Sequence, residues 1–130
     1  MKIFKNKHKL IKEISKKKDI AFIPTMGSIH DGHLSLINKA KRKSNNILVS
    51  IYVNPKQFGS HLDFKKYPRS LSKDIRLLQK KKVKYLYIPN RKDIYSFRTK
   101  SNIFLDKFSK KLCGKFRPNH FKGVIDVVNR

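Results

Sequence analysis

The stretch Phe22–Leu36, FIPTMGSIHDGHLSL, decides the reading of the fold, because it runs from an apolar segment through two glycines and two histidines into a helical pattern. Ile20 to Pro24 is a short apolar run consistent with a buried strand. After the loop Thr25 to His30, "DGHLSLINKAKRK" places Leu34, Ile37 and Ala40 on one helical face, with Lys and Arg in the last turn where the helix dipole is negative. Strand, loop and helix in that order open a βα unit.

Working outward, Leu10, Ile11 and Ile14 at helical spacing among lysines predict an amphipathic helix before "DIAFIP". Downstream, the β-branched "NNILVSIYV" predicts a second strand. The segment "NPKQFGSHLDFKKYPRS" reads as a long loop, of the kind that tends to be functional or mobile. A helix "SLSKDIRLLQKKK" follows, with Ser70 as N-cap and Ile75 and Leu78 inward, and then a third strand, "VKYLYIP". The order α-β-α-β-α-β predicts an α/β fold with a doubly wound parallel sheet. Beyond Pro89 the pattern fades into "NRKDIYSFRTKSNIFLD", a short helix around Phe108 to Leu112 and an apolar end, "FKGVIDVVNR". Val124, Ile125, Val127 and Val128 run up to Arg130 without a cap, so the chain reads as an element cut in mid-course. There is no internal repeat or low-complexity linker.

At 130 residues the length suits one domain with a real core. Lys and Arg number 33 against 8 Asp and Glu, a net charge of +25 that would attract nucleic acid or an anionic membrane nonspecifically. The lysines, however, are spread over every segment and gather where helices end, whereas a nucleic-acid surface concentrates basic residues on one face and interleaves aromatics. Solvated helix faces are the better reading, with no specific nucleic acid as partner. Cys113 is the only cysteine, which excludes an intramolecular disulfide and suits a reducing cytoplasmic setting. No stretch has the length of a membrane span, and the basic start lacks a signal-peptide core.

In a doubly wound sheet, ligands sit beyond the carboxyl ends of the strands. Met26, Gly27, Ser28, Ile29, His30, Asp31, Gly32 and His33 occupy that place after the first predicted strand. Backbone N–H groups and the positive end of the helix dipole favour phosphate there, the glycines permit close approach, and His30 and His33 can donate to phosphoryl oxygens. The plainer reading of either histidine alone is a capping or core residue; the pair argues for a triphosphate cradle. A zinc site is weaker, since His-x-x-His supplies two ligands and His8, His61 and His120 have no metal spacing, so no metal ligands are assigned. The stretch has neither the Walker A ending nor a Rossmann Gly-x-Gly-x-x-Gly. Glu13 is the only glutamate, which disfavours a paired-carboxylate mechanism and leaves charge stabilisation by histidines and amides.

His30-Asp31-Gly32-His33 resembles the HxGH signature of the nucleotidylyltransferase superfamily related to class I aminoacyl-tRNA synthetases, and "PTMGSIHDGHLSL" resembles the pantothenate synthetase (pantoate–β-alanine ligase) family. "VSIYVNPKQFGSHLDFKKYPRSLSKD" and "LCGKFRPNHFKGVIDVV" are similar to two further blocks of that family, in order and at compatible spacing. The resemblance implies a Rossmann-like, HxGH-type fold and ATP-dependent condensation of pantoate with β-alanine through a pantoyl adenylate, with Mg²⁺ on the phosphates. It implies that Met26 to His33 hold ATP, with His33 in acid or proton-donor work and His30 beside it on the phosphates. Pro24, Thr25 and Met26 would line the pantoate pocket, Gln57 would bond pantoate and β-alanine, and Asn54 would sit near the β-alanine site. It further implies a homodimer. Tyr67, Pro68 and Arg69 read equally as a loop closure or as ligand groups; Arg117 reads as a phosphate, interface or surface charge, and His120 as structural.

Asn119 stands where the family pattern has Gly, a change that could alter a turn, and Asp126 where it usually has Ser or Thr. The family's later Gly-Glu-Lys-Asp and Met-Ser-x-Arg blocks are not among these residues. Residues 1–130 are therefore expected to be the N-terminal nucleotide-binding part, weakly active or inactive alone. Another HxGH nucleotidylyltransferase and a basic nucleic-acid-binding module are the alternatives.

Overall fold

The structure, a computed structural model, describes residues 1–97, 104–105, 107–111, 115, 117 and 119–130. These fall into two compact units: Met1–Val53 with Pro68–Asp93, and Asn54–Tyr67 with Ile94–Arg130.

The first unit is built on β1 (Lys2–Phe4), α1 (Lys7–Ile14), β2 (Ala21–Thr25), α2 (Asp31–Lys41), β3 (Ile47–Ile51), α4 (Leu71–Lys80) and β4 (Tyr85–Tyr87). The four strands form one parallel sheet in the order β1-β4-β3-β2. From β2 to β3 to β4 the chain steps one strand at a time in one direction, whereas β1 to β2 crosses the whole sheet in the other. Right-handed crossovers in opposite directions send their helices to opposite faces, and the core divides accordingly. Ile23, Ile47, Val49, Ile51 and Leu86 bury one sheet face with Ile37 of α2 and Leu78 of α4. Leu48, Tyr85 and Tyr87 point the other way and pack with Leu10 of α1. The expected doubly wound parallel sheet is thus present, and β3, buried at every position, has the unbroken apolar run of a central parallel strand.

Four local differences have plain causes. β1 is only three residues long and mostly exposed, so it carries no apolar alternation that sequence could show. Ile11 shares the helical spacing of Leu10 but is 47% exposed, because the contact face of α1 is narrow. Ser70 stands at the N-cap position of α4, yet its side chain makes no capping hydrogen bond. The predicted long loop contains a 3₁₀ turn at Pro55–Gln57 and a helix α3 (His61–Lys66), capped by Ser60 Oγ accepting from Asp63 N at 3.1 Å.

Helix α5 (Arg91–Tyr95) follows β4 and opens with Asn90 and Asp93 bonding each other's backbone N–H, at 2.9 and 3.1 Å. The second unit continues with a 3₁₀ turn at Lys107–Lys110 and ends in α6 (His120–Asn129). The helix expected around Phe108 to Leu112 thus appears as that 3₁₀ turn; Leu112 and Cys113 lie outside the described residues. Asn119, ahead of α6, has φ +72°, a left-handed conformation that explains a glycine there in the family pattern and that Asn tolerates better than most residues.

Candidate nucleotide-binding loop and amide turn

The loop after β2 begins with Thr25, whose hydroxyl donates to Ser50 O of β3 at 2.8 Å and accepts from Gly27 N at 3.1 Å. The chain then turns through Gly27 at φ +78° and Ser28 at φ +52°. A Cβ at Gly27 would lie 3.0 Å from Asp74 Oδ2 and 3.1 Å from Ile51 Cγ2, so both conformation and space require glycine here. Asp74, on the first turn of α4 and 2% exposed, accepts from Ser28 N at 2.9 Å and from Ile29 N at 2.8 Å. Two charge-assisted bonds to one buried carboxylate fix the loop.

His30 and His33 cap α2 reciprocally. His30 Nδ1 accepts from Gly32 N at 3.1 Å, and His33 Nδ1 accepts from His30 N at 3.4 Å. Their rings lie 4.0 Å apart between centroids at an interplanar angle of 40°. Because both Nδ1 atoms accept, the proton of each neutral ring sits on Nε2, leaving each ring one donor. Burial holds His33 below its ordinary value of 6.5, and the neighbouring His30 adds to the depression while Asp74 opposes it. A neutral Nε2–H donor is therefore the resting form of His33 at neutral pH.

The sequence alone leaves the loop's backbone N–H groups free for phosphate, but in the structure those of Gly27, Ser28, Ile29, His30 and Gly32 all have acceptors within the chain. What the loop offers an anion is the pair of Nε2–H donors and the N-terminal end of α2. Asp74 was missed because it lies 45 residues beyond Ile29, a distance no local motif spans. Of the other loop residues, Asp31 and Gly32 are exposed on the first turn of α2, Ile29 is buried, and Met26 is half-buried. Pro24 is exposed on β2, while Thr25 is buried with its hydroxyl engaged on both sides.

Asn54 and Gln57 belong to the second unit. Asn54 is fully buried and its amide is engaged at both ends: Nδ2 donates to Gly123 O at 3.1 Å, and Oδ1 accepts from Tyr95 OH at 2.8 Å and from Lys56 N at 3.3 Å. The carbonyl of Gln57 accepts from His120 Nδ1–H at 3.0 Å. Gln57 is 6% exposed, and among the described residues its side-chain amide makes no hydrogen bond. Arg117 pairs with Asp63 at 3.1 Å, and Tyr67 packs edge-on against Phe58. Among the described residues no group of three or more His, Cys, Asp or Glu could hold a metal ion.

A parallel sheet wound on both faces, with an HxGH histidine pair capping the helix after β2, defines a Rossmann-like α/β protein of the HxGH type. The family profile described as Pantoate-beta-alanine ligase matches residues 2–130, and the chain belongs to that family. It is 44% identical over 122 residues to pantothenate synthetase of Pseudothermotoga lettingae, covering 94% of this chain and 43% of the relative. With pantothenate synthetase of Thermoanaerobacter pseudethanolicus it shares 46% over 125 residues, 95% of this chain and 44% of the relative. Crystalline pantothenate synthetase from Thermus thermophilus superposes with a TM-score of 0.87 at 34% identity, over 100% of this chain and 47% of the other. Pantoate-beta-alanine ligase from Francisella tularensis, complexed with beta-gamma ATP and beta-alanine, gives 0.85 at 40% identity, over 99% of this chain and 51% of the other. The chain spans about half the length of these relatives.

Proposed function

We propose that this chain carries the ATP-facing loop and part of the pantoate pocket of a pantoate–β-alanine ligase. The pantoate carboxylate attacks the α-phosphorus of ATP, releasing pyrophosphate and forming pantoyl adenylate; the amine of β-alanine then attacks the acyl carbon and AMP leaves. No covalent bond to the protein forms in either step, so the residues here act by orientation and charge stabilisation. The observation that carries this reading is the histidine pair, whose mutual capping leaves two Nε2–H donors at the N-terminus of α2. A triphosphate there would also restore basicity to His33, since nearby negative charge favours the imidazolium. Mg²⁺ would come with ATP and supply charge neutralisation on the phosphates, as magnesium commonly does through substrate oxygens and water.

Gln57 is the pantoate and β-alanine group in this reading, because a buried amide with its donors and acceptor uncommitted can serve a carboxylate and a hydroxyl together. The three bonds within the chain that the Asn54 amide makes give it the role of holding that turn near the β-alanine site. Met26, Gly27, Ser28, Ile29, His30, Asp31, Gly32 and His33 form the ATP loop, and Pro24, Thr25 and Met26 border pantoate. Among the described residues no helix is long and apolar enough to cross a membrane; a cytoplasmic homodimer completes the proposal, and sedimentation of the purified protein tests the dimer.

Isothermal titration with a β,γ-non-hydrolysable ATP analogue and then pantoate tests the function. His33→Ala is expected to weaken the analogue about tenfold, the equivalent of about 1.4 kcal/mol for a hydrogen bond to a charged group. Gln57→Ala is expected to weaken pantoate and leave the analogue unchanged. A wild-type chain that ignores the analogue, or a His33→Ala variant that binds it equally well, would refute the reading.

A further inference from the structure

The family resemblance leaves α6 with no role beyond a shared sequence block, yet three successive turns of this helix grip the 3₁₀ turn that carries Gln57. At the first, His120 Nδ1–H donates to Gln57 O at 3.0 Å. At the second, Gly123 O accepts from the buried Asn54 Nδ2 at 3.1 Å, and the helix backbone comes so close that a Cβ on residue 123 would lie 2.5 Å from Lys56 O and 3.1 Å from Gln57 N. At the third, Asp126 Oδ2 pairs with Lys56 Nζ at 3.0 Å while its other oxygen accepts from Arg130 Nε at 2.7 Å. Lys56 and Arg130 also lie over the Tyr95 ring, at 4.2 and 4.8 Å from its centroid, and the Tyr95 hydroxyl bonds Asn54.

The grip takes hold of the Asn54 and Lys56 side chains and of the Lys56–Gln57 backbone, and leaves the Gln57 side-chain amide untouched. Four contacts reach this three-residue turn and its N-cap from one helix: the His120 N–H, the Gly123 carbonyl, the close backbone approach at Gly123 and the Asp126 carboxylate. Such redundancy fits a turn whose own side chain must be aimed within a fraction of an ångström, since a bound group held 1 Å off loses much of its effect.

We infer that His120 and Gly123 are positioning residues for Gln57: α6 holds the Asn54–Gln57 turn so that the Gln57 amide is aimed at pantoate before the substrate arrives. The inference rests on Gln57 being the pantoate group. His120 acts through the Gln57 carbonyl and touches no substrate. Gly123 serves by having no side chain, which alone allows the helix backbone to reach the turn. Asp126, where the family pattern has Ser or Thr, gives this chain an added ionic tie at the same place.

The test is pantoate affinity by isothermal titration on the full 130-residue chain, saturated with the non-hydrolysable ATP analogue. The variants are His120→Ala, His120→Asn and Gly123→Ala, with the affinity for the analogue measured alongside. An Asn side chain can place its Nδ2–H where His120 Nδ1–H stood. Expected are a loss of pantoate affinity on the order of three- to tenfold in His120→Ala, the weight of one hydrogen bond, and recovery to within about twofold in His120→Asn. Gly123→Ala is expected to lose at least as much, with analogue affinity unchanged in all three. Pantoate affinity unchanged in His120→Ala, or no recovery in His120→Asn, would overturn the inference while the functional reading stands. A wild-type chain that binds the analogue but not pantoate would overturn both. If Gly123→Ala does not fold, the two His120 variants decide.

Discussion

At the residue scale, the two histidines show how one geometry can serve a helix and a ligand together. Nδ1 of each ring is used for capping, and that use fixes the proton on Nε2, the atom that remains to face a phosphate. The same crowding acts on titration: burial of His33, then the proximity of His30, holds its pKa below 6.5 against the pull of Asp74. As pH falls through 6.5, the unfolded chain takes up a proton at His33 that the folded chain resists, so this residue's share of stability is intact above 6.5 and is lost toward the lower folded value. Two-dimensional NMR of the imidazole C–H groups checks this: the His33 midpoint is expected below 6.5, and His30→Ala should move it upward by removing both a covering ring and a neighbouring charge. A wild-type midpoint at or above 6.5 would count against the tight ring pair.

At the scale of elements, the sheet has one polar fault. Tyr87, the last residue of β4, points into the α1 side of the core, and among the described residues its hydroxyl has no hydrogen-bond partner. Burial, assisted by Asp93, pushes it up to about 12. A buried, unpartnered hydroxyl costs roughly 1–3 kcal/mol, so Tyr87→Phe, which keeps the ring and removes the oxygen, is expected to raise the thermal midpoint by about 3–5 °C for each kcal/mol recovered. Stability in the parent should also decline as pH rises from about 10 toward 12, because the unfolded tyrosine ionises first, and the variant should lose that decline. A lower midpoint in Tyr87→Phe would mean that the hydroxyl is satisfied after all. Most elements were legible because their burial is periodic: Leu34, Ile37 and Ala40 declare α2, and the apolar run of β3 declares a strand covered on both faces. β1 was not legible, since its pairing with β4 is a tertiary fact that three residues, two of them exposed, cannot encode. α3 and α5 carried signals that could have been read, Ser60-x-x-Asp63 and Asn90-x-x-Asp93, both spacings of a helix cap. Within the site, the glycine and histidine loop was legible as a motif, whereas Asp74 beneath it and His120 behind Gln57 act across 45 and 63 residues, where sequence spacing carries no information.

At the scale of the whole molecule, the net charge of +25 is a property that neither the fold nor the proposed site requires. With 8 acidic side chains against 33 basic ones, most cations have no partner of opposite sign available, and two of the ion pairs formed share the single carboxylate of Asp126. Unfolding lets such like charges move apart, so the folded state bears the greater self-repulsion. The repulsion is long-ranged at about 0.01 M salt, where screening extends to about 30 Å, and short-ranged at about 0.15 M, where it extends to about 8 Å. The thermal midpoint is therefore expected to rise by several degrees between these two sodium chloride concentrations, the opposite of a protein held together by surface ion pairs. The same charge predicts binding to any duplex DNA at low salt, with log K falling linearly against log salt and little binding left at physiological strength. Calorimetric melting and a fluorescence titration on two unrelated duplexes read both effects. A midpoint that falls with salt would show that the ion pairs outweigh the repulsion, and a duplex held selectively at physiological salt would show that the lysines form an organised surface, contrary to their dispersal along the chain.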